Sequence, residues 1–179
     1  MKILCLHGVG SSCEILGAQM ASLRRELDPS FELVFVDGPF ESERDQVRQY
    51  YDPFIPKLCP LIPSITGVPA SQPGPFFSHT ETYSPKHMAQ AVSYLEGLLT
   101  DEKPFDGIFG FSQGAAIALS YCYQQQTASD TIAVKFSVLF SSVMPCSTDP
   151  TLGDAIISQL RDVEYDITNP SLDPLKSAS

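Results

Sequence analysis

Ser112 lies in the segment Gly110-Phe111-Ser112-Gln113-Gly114, which has the G-x-S-x-G pattern of a nucleophile elbow. In this motif a tight turn between a strand and a helix exposes a serine hydroxyl, which can attack an acyl carbonyl when a base accepts its proton. An apolar stretch precedes the segment and small residues follow it, as that turn requires. The pattern predicts that Ser112 is a nucleophile for acyl transfer rather than an incidental turn serine.

A second segment, His7-Gly8-Val9-Gly10, ends the first apolar run of the chain. Acyl transfer needs two backbone N–H groups aimed at the developing oxyanion, one after the nucleophile and one from a loop that follows an earlier strand. The N–H groups of Gln113 and Val9 are the predicted donors. A glycine-rich strand end without a catalytic part is the alternative.

The base for Ser112 is not evident, because the three histidines His7, His79 and His87 all precede it. Elbow hydrolases have the chain order serine, acid, histidine. We expect His7 to brace the oxyanion loop rather than to act as the base. The segment from Phe76 to His79 could line a pocket, and His87 falls in the first turn of a helix, so surface or structural roles are expected for His79 and His87.

Acidic residues after Ser112 are numerous, but none ends a convincing strand, which is where a triad acid belongs. We therefore expect them to be solvated. They are Asp130, Asp149, Asp154, Asp162, Glu164, Asp166 and Asp173.

The overall charge argues against two classes of partner. Eleven basic residues stand against 21 acidic ones, which gives a formal net charge of −10. This charge opposes binding to nucleic acid phosphates and to anionic membranes, and no cluster of Lys and Arg reverses it locally. We expect no nucleic acid partner, no membrane association and a neutral or apolar small-molecule substrate.

The five cysteines and the N-terminus indicate the compartment. Cys5, Cys13, Cys59, Cys122 and Cys146 are odd in number and lack the paired spacing of a zinc site. The first residues contain too short an apolar run for a signal peptide, and nothing later reaches transmembrane length. A cytoplasmic protein without metal or cofactor is expected, in which Cys5 and Cys122 act as small buried hydrophobes.

Apolar patterning predicts a parallel α/β fold. Strands are predicted at 2–6, 32–36, 105–109 and 134–140. Helices are predicted at 12–27, at 84–99, directly after the elbow, and near 152–160. Eight of the 15 prolines fall between residues 51 and 87, so this region is predicted to be an insertion that forms a lid or pocket wall.

These motifs together resemble the fungal serine hydrolase family, whose members are α/β-hydrolases similar to the animal ovarian cancer-associated gene 2 proteins. The resemblance covers nearly the whole chain. The segments that carry it are Lys2-Ile3-Leu4-Cys5-Leu6-His7-Gly8, Phe35-Val36-Asp37-Gly38-Pro39-Phe40, Phe105-Asp106-Gly107-Ile108-Phe109-Gly110-Phe111-Ser112-Gln113-Gly114-Ala115-Ala116 and Lys135-Phe136-Ser137-Val138-Leu139-Phe140-Ser141-Ser142.

The resemblance implies a three-layer sandwich with a mainly parallel sheet and an esterase or thioesterase activity on a small-molecule substrate. Several members release polyketide chains from their synthases in fungal secondary metabolism. Ser112 would be the nucleophile, with Val9 and Gln113 as oxyanion donors. The family's acid and histidine lie on two further strand ends, which this sequence does not match.

The expectation is therefore one partial α/β-hydrolase domain over residues 1–179, truncated at its C-terminus, lacking the last strands and impaired in catalysis. The alternatives are a catalytically inactive binding protein or pseudoenzyme, and a site that another chain completes. A strand at 134–140 left at the edge of the sheet would favour association.

Overall fold

The structure of the chain is a computed structural model, which describes residues 1–43, 74–101, 104–128, 134–142, 147–149 and 151. The helices are α1 (Cys13–Gln19), α2 (Ala21–Glu26), α3 (Pro85–Asp101) and α4 (Gln113–Ala128). The strands are β1 (Lys2–Leu6), β2 (Glu32–Val36), β3 (Phe40–Ser42), β4 (Phe76–Ser78), β5 (Gly107–Phe111) and β6 (Phe136–Phe140).

Within the described residues, four strands form a parallel sheet in the order β2-β1-β5-β6. Leu6 at the end of β1 is in register with Val36 of β2 and with Gly110 of β5. Parallel strands end at the same edge of a sheet, so the residues after Leu6, Val36 and Phe111 lie close together. Strands β3 and β4 form a separate antiparallel pair.

The sheet separates two apolar clusters, because successive side chains of a strand point to opposite faces. Ile3 and Cys5 pack with Leu16 of α1 on one face. Leu4 and Leu6 pack on the other face, in a cluster that α3 and α4 supply with Met88, Val92, Leu95, Ile117 and Tyr121. Helices therefore cover both faces, and the predicted three-layer sandwich with a mainly parallel sheet is confirmed.

The bounds of three predicted elements were wrong. The strand predicted at 134–140 is β6, which begins at Phe136. The helix predicted at 12–27 divides at Met20 into α1 and α2, and Leu23, which the apolar pattern assigned to its buried face, is 46% exposed. The strand predicted at 105–109 is β5, which begins at Gly107 and runs on to Phe111. Gly110 does not end it, because this glycine marks a close approach of helix α4 to the strand.

The predicted helix at 84–99 is confirmed as α3. Its N-cap is Ser84, whose Oγ accepts the His87 N–H at 3.4 Å. Most of the proline-rich insertion at 51–87 and the predicted helix near 152–160 lie outside the described residues. No helix in the described part of the chain is long and apolar enough to cross a membrane.

Candidate active site

Ser112 occupies the turn between β5 and α4 in a left-handed backbone conformation, with a φ of 52°. Its N–H donates to the Phe140 carbonyl at 2.9 Å, and its own carbonyl accepts from Ala115 N–H and Ala116 N–H. A left-handed backbone costs a residue with a Cβ about 1–3 kcal/mol, so the surrounding contacts must hold it. The local geometry is the strand–turn–helix that the G-x-S-x-G pattern predicts.

The two glycines of the motif allow this crowded turn. A Cβ added at Gly110 would lie 2.5 Å from the Ala115 Cα, and one added at Gly114 would lie 2.5 Å from the Leu6 carbonyl oxygen. Gly114 N–H also donates to the His7 carbonyl at 3.1 Å. Helix α4 therefore begins directly against the end of β1.

The loop after β1 lies beside the nucleophile. A Cβ added at Gly8 would lie 3.2 Å from the Ser112 Cβ, and Gly10 has a φ of 62°. Val9 is partly exposed in this loop, and Gln113 is the first residue of α4, where backbone N–H groups have no partner within the helix. The structure thus places the loop that contains Val9 beside Ser112 and Gln113 directly after it, and the role of their N–H groups as oxyanion donors stays a prediction.

His7 is fully buried and both of its ring nitrogens are engaged. Nε2 accepts the Gly38 N–H at 3.0 Å, so Nδ1 carries the proton that it donates to the Gly8 carbonyl at 2.6 Å. Burial lowers the pKa of His7. A neutral imidazole with both nitrogens engaged connects the loop after β1 to the end of β2 and is not free to act as a base.

His79 lies in the core of this region, which the sequence did not reveal. It is 2% exposed, and its ring centroid is 4.4 Å from that of His7. Burial, with the nearby His7, keeps the pKa of His79 well below its ordinary value, although a hydrogen bond to the His7 backbone acts in the opposite direction. The structural role expected for His79 stays a prediction, and no spacing in the sequence connects this residue to the elbow.

The Gln113 side chain is a second feature that sequence reasoning missed, because G-x-S-x-G treats this position as any residue. Gln113 is 2% exposed. Its Oε1 accepts the His79 N–H at 2.8 Å, and its Nε2 donates to the Thr80 carbonyl at 3.2 Å. The residue after the nucleophile is therefore fixed by its side chain as well as by its helix.

The remaining predicted titratable groups lie elsewhere. His87 Nδ1 is 2.6 Å from Thr82 Oγ1, and its Nε2 is 3.6 Å from a carboxylate oxygen of Glu81, as expected for a structural group at a helix start. Asp149 is exposed and accepts the Thr151 N–H. The other acidic residues after Ser112 lie outside the described residues: Asp130, Asp154, Asp162, Glu164, Asp166 and Asp173.

The described cysteines are free thiols. Burial raises the pKa of Cys5 to about 12. Burial and the hydrogen bond from its thiol to Asp37 raise the pKa of Cys13 to about 11. A thiol that resists ionisation is a poor nucleophile, so neither group competes with Ser112 for this chemistry. Among the described residues, no group of three or more His, Cys, Asp or Glu side chains is arranged to hold a metal ion.

Ser112 Oγ has no hydrogen bond to a histidine or a carboxylate in the described parts of the chain. The site as described therefore comprises a presented nucleophile and an adjacent loop with backbone donors, whereas the acid and base of a triad are not among its members.

Comparison with known proteins identifies several proteins named as esterases that are similar to this chain. The chain is 33% identical over 163 residues to esterase alnB of Emericella nidulans, covering 91% of this chain and 50% of that protein. It is 32% identical to esterase FUS5 of Gibberella moniliformis, covering 80% and 57%, and 33% identical to probable esterase tazC of Aspergillus terreus, covering 84% and 58%. The chain thus spans about half the length of the curated relatives it matches.

Among solved structures, a variant of Arabidopsis thaliana SOBER1 aligns with a TM-score of 0.49 and 17% identity, covering 89% of this chain and 66% of that one. The assignment rests instead on the match between residues 1–173 and the family described as Serine hydrolase (FSH1). Because that match includes the elbow, the loop after β1 and the whole described sheet, the chain belongs to the FSH1 serine hydrolase family.

Proposed function

We propose that this protein is a serine hydrolase of the esterase or thioesterase type, with Ser112 as its nucleophile. The observation that carries the proposal is the left-handed backbone of Ser112, which has a φ of 52° in the turn between β5 and α4. A serine held in an unfavourable conformation against Gly8 is typical of a functional site, because a plain turn would use glycine there.

The proposed chemistry is two-step acyl transfer. Ser112 Oγ attacks the carbonyl carbon of an ester or thioester, and its proton passes to solvent water, which later protonates the leaving alkoxide or thiolate. The carbonyl π electrons move to oxygen, and the N–H groups of Val9 and Gln113 stabilise the oxyanion. The tetrahedral intermediate collapses and expels the protonated alcohol or thiol. Water then attacks the acyl-enzyme, which releases the acid and restores the Ser112 hydroxyl.

The substrate is proposed to be a neutral or apolar acyl compound, since the net charge of −10 disfavours anionic partners. Three relatives are named as esterases, which supports ester chemistry. The resemblance to fungal enzymes of secondary metabolism extends the proposal to a polyketide chain on its synthase. A cytoplasmic location is proposed from the odd number and scattered positions of the five cysteines.

The 179-residue chain itself is expected to react slowly. None of its three histidines follows Ser112. Of the two described beside the elbow, His7 has both nitrogens engaged, and His79 is 2% exposed and packs on His7. Hydrolases without triad members retain about 10³–10⁴-fold catalysis over water from the oxyanion hole and from binding. The lack of a hydrogen-bonded base at Ser112 among the described residues favours one alternative, an inactive protein that binds the acyl compound without cleaving it.

A turnover assay tests the proposal. A p-nitrophenyl ester series and an acyl thioester with a thiol-reactive dye are incubated with the chain and with Ser112→Ala. We expect slow release above the uncatalysed rate that Ser112→Ala abolishes. Equal rates for both proteins, each shown to be folded by circular dichroism, would refute hydrolysis by this chain.

A further inference from the structure

The segment Phe77–Thr80, here called the strap, crosses the carboxyl ends of the central strands. At one end, Phe77 N–H donates to the Ser11 carbonyl at 2.7 Å, and Ser11 N–H donates back at 3.4 Å. At the other end, His79 N–H and the Thr80 carbonyl bond to the Gln113 side chain at 2.8 and 3.2 Å. The strap therefore joins the loop after β1 to the first residue of the elbow helix.

The middle of the strap is packed without free space. Ser78 and His79 are each 2% exposed. A Cβ added at Gly38 would lie 2.2 Å from the Ser78 carbonyl oxygen, so the strap presses on the turn after β2. Gly38 N–H in turn donates to His7 Nε2 at 3.0 Å. A movement of the strap would therefore change the positions of Gly38 and His7.

The rings of His7 and His79 also connect the strap to the loop after β1. They lie 4.4 Å apart, and His79 also bonds to the His7 backbone, the same residue whose carbonyl accepts the Gly114 N–H. His79 Nε2 has no partner within the described residues. The ring is therefore held by its packing on His7 and its hydrogen bond to the His7 backbone, while the His79 N–H is bonded to Gln113.

We propose that the Gln113 side chain is a positioning residue, which clamps the strap and thereby sets the loop of Gly8 and Val9 against Ser112. The two amide atoms have separate tasks: Oε1 holds His79 N–H, and Nε2 holds the Thr80 carbonyl. A glutamine side chain suits this buried position because its amide can bond to one backbone N–H and one backbone C=O, and leaving either group unpaired would be costly. The catalytic benefit rests on the proposed function, whereas the mechanical coupling does not.

Two variants separate the coupling from simple folding. Gln113→Met keeps the length of the side chain and removes both hydrogen bonds. Gln113→Glu keeps an acceptor for His79 N–H, but an ionised carboxylate cannot donate to the Thr80 carbonyl. Burial favours the protonated form of an introduced carboxyl, and that form restores the donor. The Glu variant can therefore be compared with itself, without the Thr80 hydrogen bond at high pH and with it at low pH.

The first readout is amide hydrogen exchange, which needs no catalytic activity. We expect Gln113→Met to speed exchange about tenfold at His79 N–H, and also at Gly38 N–H and Phe77 N–H, neither of which Gln113 contacts. Gln113→Glu should show the same loss at pH 8 and recover towards the parent protein at pH 6. A cooperatively folded Met variant with unchanged exchange at Gly38 and Phe77 would overturn the proposal, and so would a Glu variant without pH-dependent recovery.

The second readout is the rate at which a fluorophosphonate labels Ser112, each variant being compared with the parent protein at the same pH. We expect about a tenfold loss in Gln113→Met at both pH values, and in Gln113→Glu at pH 8 only. If the parent protein does not label, the proposed function fails while hydrogen exchange still decides the clamp. If the parent labels and both variants label at its rate, the positioning role is refuted.

Discussion

The elbow region and the outer edge at β6 belong to one sheet, yet their side chains are covered very differently. At the elbow, His7, His79 and Gln113 are buried, and their hydrogen bonds go to Gly8, Gly38 and Thr80. At β6, Val138 is 38% exposed and Phe140 is 52% exposed. The backbone bond from Ser112 N–H to the Phe140 carbonyl joins the two regions.

The nucleophile is thus held mainly by backbone and buried polar contacts, whereas the side chains of the outer edge are partly open to solvent. Contacts from β1, the strap and α4 fix Ser112 and the loop beside it, without any side chain from β6. The outer side of β6, by contrast, has no paired strand among the described residues. We therefore expect substitutions at the elbow to change stability and reactivity strongly, and substitutions on the outer face of β6 to change association.

The largest effect is expected for Gly114→Ala. Its Cβ would lie 2.5 Å from the Leu6 carbonyl oxygen and 2.7 Å from that of His7, and backbone atoms cannot move aside as a side chain can. Overpacking of this kind costs about 1–3 kcal/mol or more in the free energy of unfolding. Urea denaturation followed by circular dichroism measures it.

Gly97→Ala is the matched control, because a Cβ at this position in α3 meets nothing within 4 Å. It should raise the free energy of unfolding by about 0.5–1 kcal/mol through helix propensity. Equal effects of the two substitutions would contradict the close packing of α4 on β1.

The second largest effect is expected from a fall in pH, which should lower the free energy of unfolding. Burial lowers the pKa of both His7 and His79 from an ordinary value of 6.5, so the unfolded chain takes up their protons first as the pH falls. The two neutral histidines therefore contribute fully to the free energy of unfolding above about pH 6.5. Below this pH their contribution declines, by up to about 1.4 kcal/mol per pH unit for each histidine.

The comparison variant is His79→Asn, whose amide can still donate to the His7 carbonyl but does not titrate. Urea denaturation at pH 7.5 and 5.5 should show that the parent protein loses more stability than the variant over this interval. Carboxylates contribute equally to both proteins, so parallel losses would show that His79 does not couple folding to pH.

The smallest effect on monomer stability is expected at β6. Val138→Lys places a charge on an exposed side chain and should change the free energy of unfolding by no more than about 0.5 kcal/mol. A lysine on an edge strand opposes pairing with another chain. Sedimentation velocity should show association of the parent protein that the variant reduces, and a monodisperse parent would contradict the prediction.

The fold was predictable where sequence pattern and local chemistry agree. The strands β1 and β2 and the N-cap at Ser84 matched their patterns, and Gly110 and Gly114 indicated the turn that presents Ser112. The break at Met20 was not predictable, because α2 follows the same apolar spacing although Leu23 finds no core to pack against.

The strap was beyond prediction for a different reason. Its bonds join residues 33 and 34 positions apart, from Thr80 and His79 to Gln113, and no local pattern encodes such a pairing. A buried histidine pair likewise leaves no spacing signal, since His7 and His79 meet only after the strands align. The sequence indicated which residues could do chemistry, whereas tertiary packing determined which residues hold them.

Whether Ser112 is a reactive nucleophile can be measured directly by covalent labelling. The folded 179-residue chain is treated with a fluorophosphonate probe and its intact mass is followed over time, with Ser112→Ala as the control. We expect that the parent protein gains one probe adduct, slowly, and that the adduct is absent from Ser112→Ala. Folded parent protein that remains unlabelled, or labelling that persists in Ser112→Ala, would contradict this expectation.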